Sequence, residues 1–76
     1  MNEQLARQVA GFKDNRSYRT ARDLRDTVFR MISAGRPRDL RKIWLSACRN
    51  FDDQATVEDA ALFEKEVTQY TIARRL

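Results

Sequence analysis

Five cations stand close together in the middle of this 76-residue chain: Arg36, Arg38, Arg41, Lys42 and Arg49. At about 100° per residue, Arg38, Arg41, Lys42 and Arg49 fall within a roughly 100° arc of one helix. Leu40, Ile43, Trp44, Ala47, Cys48 and Phe51 fall on the opposite side. No acid shares the basic arc, and Asp39 lies to its side. The chemistry of such a face is anion binding. A guanidinium fork holds a phosphate or a carboxylate with two hydrogen bonds, whereas a lysine is a point charge. Cations crowded at the start of a helix also oppose its dipole, and the unpaired backbone N–H groups there favour an anion too. Phosphate or a partner's carboxylates would relieve that cost. So would the chain's own acids, either Asp39 or the group Asp52, Asp53, Glu58 and Asp59 that follows.

Catalytic chemistry has little to work with. The sequence contains no histidine, which removes the commonest general base and transition-metal ligand. One cysteine without histidine does not make a zinc site. Gly-rich phosphate loops, dinucleotide fingerprints and nucleophile elbows are missing from the sequence. The carboxylate pairs Asp52-Asp53 and Glu58-Asp59 stand beside a helix start, where acids ordinarily cap and complement the dipole. A chain of this length buries only about 60% of its unfolded surface and has little to spare for a cleft. The expectation is therefore a non-enzymatic protein with no cofactor and no metal.

The elements that must position the basic face are helical. Two glycines and one proline leave long stretches without a breaker, and 42% apolar with 34% charged residues suits a folded domain. The expected architecture is a single all-α domain over 1–76, a small bundle of three to four helices with a central antiparallel helix hairpin. The first helix is expected from about Asn2 to Phe12, with Leu5, Val9 and Phe12 inward. The second runs from Ser17 or Thr20 to Ala34, with Thr20 and Asp23 as a capping-box pair. Its stripe is Ala21, Leu24, Val28, Met31 and Ile32, with Tyr18 and Phe29 at the edge. Gly35 stops it, and Pro37 suits the first turn of the third helix. The third ends near Asn50. The fourth begins at Thr56, paired with Asp59, and continues to about Arg74 with Ala60, Phe63, Val67 and Tyr70 inward. Gly35 to Cys48 (GRPRDLRKIWLSAC) resembles part of a tetratricopeptide repeat in its Gly, aromatic and small positions, although Leu40 stands where a small residue is usual. What the resemblance implies is geometry, two helices turning back on each other.

Charge is unevenly spread. The net charge is +4, but Arg7 to Arg49 holds 12 basic and 4 acidic residues, whereas Asn50 to Leu76 holds 3 basic and 6 acidic. Arginines outnumber lysines 12 to 3. Some of these cations are spaced to pair locally on the second helix: Arg19 with Asp23, Arg22 with Asp26, and Asp26 with Arg30. The group from Arg36 to Arg49 is the one expected to meet a partner. Two partners suit it, nucleic acid (DNA or RNA) and an acidic protein surface. Binding to nucleic acid would be phosphate-dominated and weakly sequence-specific, since that face carries charge rather than Asn, Gln or Ser. Tyr18 and Phe29 are the aromatic candidates for base stacking nearby. A regulatory nucleic-acid-binding protein is the leading expectation. The alternative is a protein-binding adaptor or inhibitor of phage or plasmid type, docking an Arg-rich or apolar helix face.

The last helix also carries Leu62, Ile72, Ala73 and Leu76 away from its core stripe, which suggests a homodimer or partner contact. Cys48 reads as a small buried hydrophobe and not as a reactive thiol. No apolar run of signal-peptide length follows Met1, and none of 18 residues exists anywhere in the sequence. The expectation is an intracellular, cytoplasmic protein with no membrane segment.

Overall fold

A computed structural model describes residues 3–34 and 39–73, Ala73 by its backbone alone. It contains four helices: α1 Glu3–Asp14, α2 Tyr18–Ser33, α3 Leu40–Arg49 and α4 Val57–Ala73. Each helix buries most of the stripe its spacing predicts. Leu5, Val9 and Phe12 of α1, Ala21, Leu24 and Val28 of α2, Ile43, Trp44, Ala47 and Cys48 of α3, and Ala60, Phe63 and Val67 of α4 form one core. Met31, Ile32, Leu40, Leu45 and Tyr70 are half-buried against it. Aromatic edges lock the centre. Phe12 meets Phe63 and Tyr70 edge-on at 5.9 and 5.5 Å, and Trp44 meets Phe63 at 5.9 Å. Such pairs add about 0.5–1.5 kcal/mol beyond the area they bury.

The ends of the helices follow hydrogen-bond chemistry more closely than periodicity. Gly11 does not end α1. The helix runs on to Asp14, and the Asn15 N–H donates to the Gly11 carbonyl at 2.9 Å. α2 begins one turn earlier than the Thr20–Asp23 pairing implies. Ser17 Oγ accepts from the Thr20 N–H at 3.2 Å, and Thr20 Oγ1 accepts from the Ser17 N–H at 3.1 Å. The Thr20 hydroxyl also donates to the Asn15 carbonyl at 2.6 Å, so its side chain is committed to the turn before the helix. Asp39 caps α3, which starts later than a first turn at Pro37 would require; Pro37 itself lies outside the described residues. The Thr56–Asp59 box at the start of α4 is formed as expected, with both reciprocal bonds present.

Phe51 departs from the expected core. It lies beyond the last turn of α3 and is 45% exposed. Its ring rests on Phe63 at 5.3 Å, and Lys13 Nζ sits 4.1 Å above its centre. The chain leaves the helix at Asn50, whose side-chain amide donates to the Ser46 carbonyl, so Phe51 is carried to the rim of the stripe. Two buried residues carry no helical signal for the core: Ala55, in the turn before α4, and Thr27, whose hydroxyl accepts from Arg30 at 3.2 Å.

α2 packs on all three other helices, chiefly on α1 and α4, while α4 packs on both α3 and α2. α2 and α3 also touch, through a smaller interface than either makes with α4. Among the described residues, no helix is long and apolar enough to cross a membrane.

Candidate anion-binding face

The buried stripe of α3 fixes its rotation, so the opposite side is held outward. Arg41 and Lys42 are exposed there, and neither joins an ion pair among the described residues. Arg49 is also exposed, but its Nε donates to the Ala55 carbonyl at 3.2 Å and ties the end of α3 to the next turn. Part of its donor fork is thus used within the fold. Arg36 and Arg38 lie outside the described residues.

Three of the five acids expected to neutralise this face accept from backbone N–H groups. Asp39 Oδ1 accepts from the Arg41 N–H at 2.9 Å, Asp52 Oδ1 from the Gln54 N–H at 3.0 Å, and Asp59 Oδ2 from the Thr56 N–H at 2.9 Å. Each carboxylate serves a helix start or turn. Asp39 in particular places negative charge at the positive end of α3, which lessens the conflict between its dipole and its cations. Arg41 shares a depression of about 280 Å³ with Trp44, Val57, Glu58, Ala61 and Glu64, yet neither glutamate forms an ion pair with it. The described ion pairs are Arg16 with Glu66 at 2.7 Å and Arg22 with Asp23 at 3.7 Å.

The three expected pairs along α2 are not among them. Three of its four arginines have other partners. Arg22 and Arg25 lie over the rings of Tyr18 and Phe29 at 5.8 and 5.2 Å, Arg25 Nη1 donates to Thr71 Oγ1, and Arg30 Nη2 donates to Thr27 Oγ1. Tyr18 and Phe29 are both exposed, as their position at the stripe's edge predicts. Sequence reasoning did not foresee that Arg22, Arg25 and these rings share one groove with Ile72, although the spacing of four, three and four residues carries that signal.

Of the residues expected at a dimer or partner contact, Leu62 is 66% exposed and Ile72 is exposed as well. They border different depressions, Leu62 one with Phe51 and Lys13, Ile72 one with Phe29. Exposed Lys65 and Gln69 interrupt the side of α4 between them. Leu76 and the side chain of Ala73 lie outside the described residues. Cys48 is buried, and its Sγ donates to the Asp59 carbonyl at 3.7 Å. Burial, helped by the nearby carboxylates of Asp59 and Asp52 and opposed by Lys13, pushes its thiol up to about 11. Such a group stays protonated and is a poor nucleophile at neutral pH.

The chain matches no protein-family model, no curated protein and no solved structure.

Proposed function

We propose that this chain is a small non-enzymatic regulatory protein that binds nucleic acid through the basic side of α3. One observation carries the reading. Among the described residues Arg41 and Lys42 stand exposed and without an ion pair, while the nearby carboxylates of Asp39, Asp52 and Asp59 accept from backbone N–H groups. Glu58 and Glu64 line the same depression as Arg41, yet neither closes an ion pair with it. The packing of Ile43 and Trp44 beneath fixes the rotation of α3, so Arg41 and Lys42 leave the helix on its solvent side. Contacts of this type position a nucleic acid and carry little sequence information. Titration of labelled duplex and RNA oligonucleotides at 50 mM salt tests the reading. Binding by the folded protein at micromolar concentration, lost in the Arg41→Glu/Lys42→Glu variant, supports it. No binding of the wild type to any oligonucleotide contradicts it.

A second reading draws on Val57 and Leu62, large apolar residues that α4 leaves exposed. An adaptor or inhibitor would dock such a surface on a partner protein or on a second copy. Affinity capture that survives nuclease treatment and charge reversal at Arg41, but fails for Leu62→Glu, favours this reading. Sedimentation at tens of micromolar distinguishes a second copy, since only a dimer doubles the mass.

A further inference from the structure

The groove between α2 and the C-terminal end of α4 joins aromatic and cationic side chains. Tyr18, Arg22, Arg25 and Phe29 are spaced four, three and four residues apart, which aligns them along one side of α2. The outer pair are aromatic and the inner pair cationic. Tyr18 and Phe29 are separated by about 16 Å of helix at 1.5 Å per residue. Each ring is covered on one side by an arginine from within the stripe, at 5.8 Å for Arg22 over Tyr18 and 5.2 Å for Arg25 over Phe29. α4 closes the groove with Thr71 and Ile72 and encloses about 390 Å³.

The arrangement is held from behind. Arg25 Nη1 donates to Thr71 Oγ1 at 3.2 Å, and the Thr71 hydroxyl donates in turn to the Thr68 carbonyl at 2.7 Å. The guanidinium that lies over Phe29 is thus anchored to α4, and the ring remains 45% exposed. A single exposed phenylalanine is ordinary on a protein surface. Two rings in register with two arginines, beside an exposed Ile72, make a platform with both an apolar and a cationic component.

We infer that this groove binds unpaired bases of a single-stranded nucleic acid, with a base stacked against Phe29 and the flanking phosphates drawn to Arg22 and Arg25. The inference rests on the nucleic-acid reading proposed above and names its class. In a duplex the faces of the bases are already stacked on one another, and an exposed ring has nothing to receive. In a single strand they are open, and aromatic stacking beside arginine is the usual means of holding them. Among the described residues Asp26 is the one acid that lines the groove, with Asp23 paired to Arg22 beside it at 3.7 Å, and the Asp26 carboxylate suits the exocyclic amino groups of a base edge. An acidic peptide would use the two arginines and leave the rings idle.

The test is fluorescence anisotropy with labelled single-stranded and duplex oligonucleotides of matched length at 50 mM salt. The wild type is compared with Phe29→Ala, Phe29→Leu and Phe29→Trp. Expected for Phe29→Ala and Phe29→Leu is a loss of single-strand affinity of about 5- to 100-fold, the range found for one base–aromatic stack. Duplex affinity should be unchanged, and Phe29→Trp should bind single strands at least as well as the wild type. Its added indole should also be quenched by an unlabelled single strand. Single-strand affinity unmoved by Phe29→Leu overturns the inference. If Arg41→Glu/Lys42→Glu still abolishes binding in that case, the reading of α3 stands alone. Failure of every oligonucleotide to bind overturns both. Binding of an acidic peptide, weakened by Phe29→Ala, in place of nucleic acid would assign the groove to protein recognition instead.

Discussion

Cys48 shows how far a side chain's role depends on what surrounds it. Its thiol is buried, donates to the Asp59 carbonyl, and is pushed up to about 11 by burial and by the Asp59 carboxylate. Iodoacetamide at pH 8 should therefore modify the native protein far more slowly than the urea-unfolded chain; equal rates would place the thiol at the surface. The raised value also couples to stability. Below about 9 both states keep the proton, and the contribution of the group is complete. Between about 9 and 11 the unfolded chain loses its proton while the folded one holds it, so stability falls as pH rises. Urea titrations at pH 8 and pH 10.5 should show a smaller alkaline loss for Cys48→Ala than for the wild type. The burial of Cys48 was legible from its place on an apolar stripe. The partners of the arginines on α2 were not, because a guanidinium can choose among several neighbours. Arg22 lies over Tyr18 and pairs with Asp23, and Arg30 reaches Thr27, where spacing alone offered Asp26 to both.

At the level of the elements, the four helices and their inward stripes follow from a period of 3.6, and α4 begins at the capping pair its sequence announces. The ends were harder to read. Ser17 and Thr20 are both good capping residues, and only the bond from Thr20 back to Asn15 decides between them. Phe51 continues the apolar pattern of α3 on paper, but the helix has already ended at Arg49. Ala55 is buried in a turn, where no periodicity exists to mark it. These ends make measurable predictions. Ser17→Ala removes an acceptor for the Thr20 N–H and should cost about 1 kcal/mol in a denaturant titration. Gly11 lies inside α1 with open space where a Cβ would stand. Gly11→Ala should therefore stabilise the fold by about 0.5–1 kcal/mol, raising the melting temperature by a few degrees. A lower melting temperature would mean that the backbone there is not helical.

Across the whole molecule, the small core and the uneven charge set the terms of stability and function. Phe12 is fully buried and touches both Phe63 and Tyr70. Phe12→Ala should cost about 3–5 kcal/mol, a large share of the total for a domain of this size, and circular dichroism should show a strongly lowered melting temperature. The basic face of α3 was legible as a pattern. That Arg41 and Lys42 join no ion pair among the described residues was not, because sequence places Asp52, Asp53, Glu58 and Asp59 nearby without saying that Asp52 and Asp59 serve backbone N–H groups. Anion binding by α3 depends on those two cations being available. Its most direct test is the salt dependence of duplex binding by the wild type and by Arg41→Glu/Lys42→Glu. With about four phosphate contacts, the wild type should lose about 100-fold in affinity between 50 and 200 mM salt. The variant should bind at least tenfold more weakly at 50 mM. Wild-type protein that is folded at micromolar concentration and binds no oligonucleotide at 50 mM salt would contradict the account.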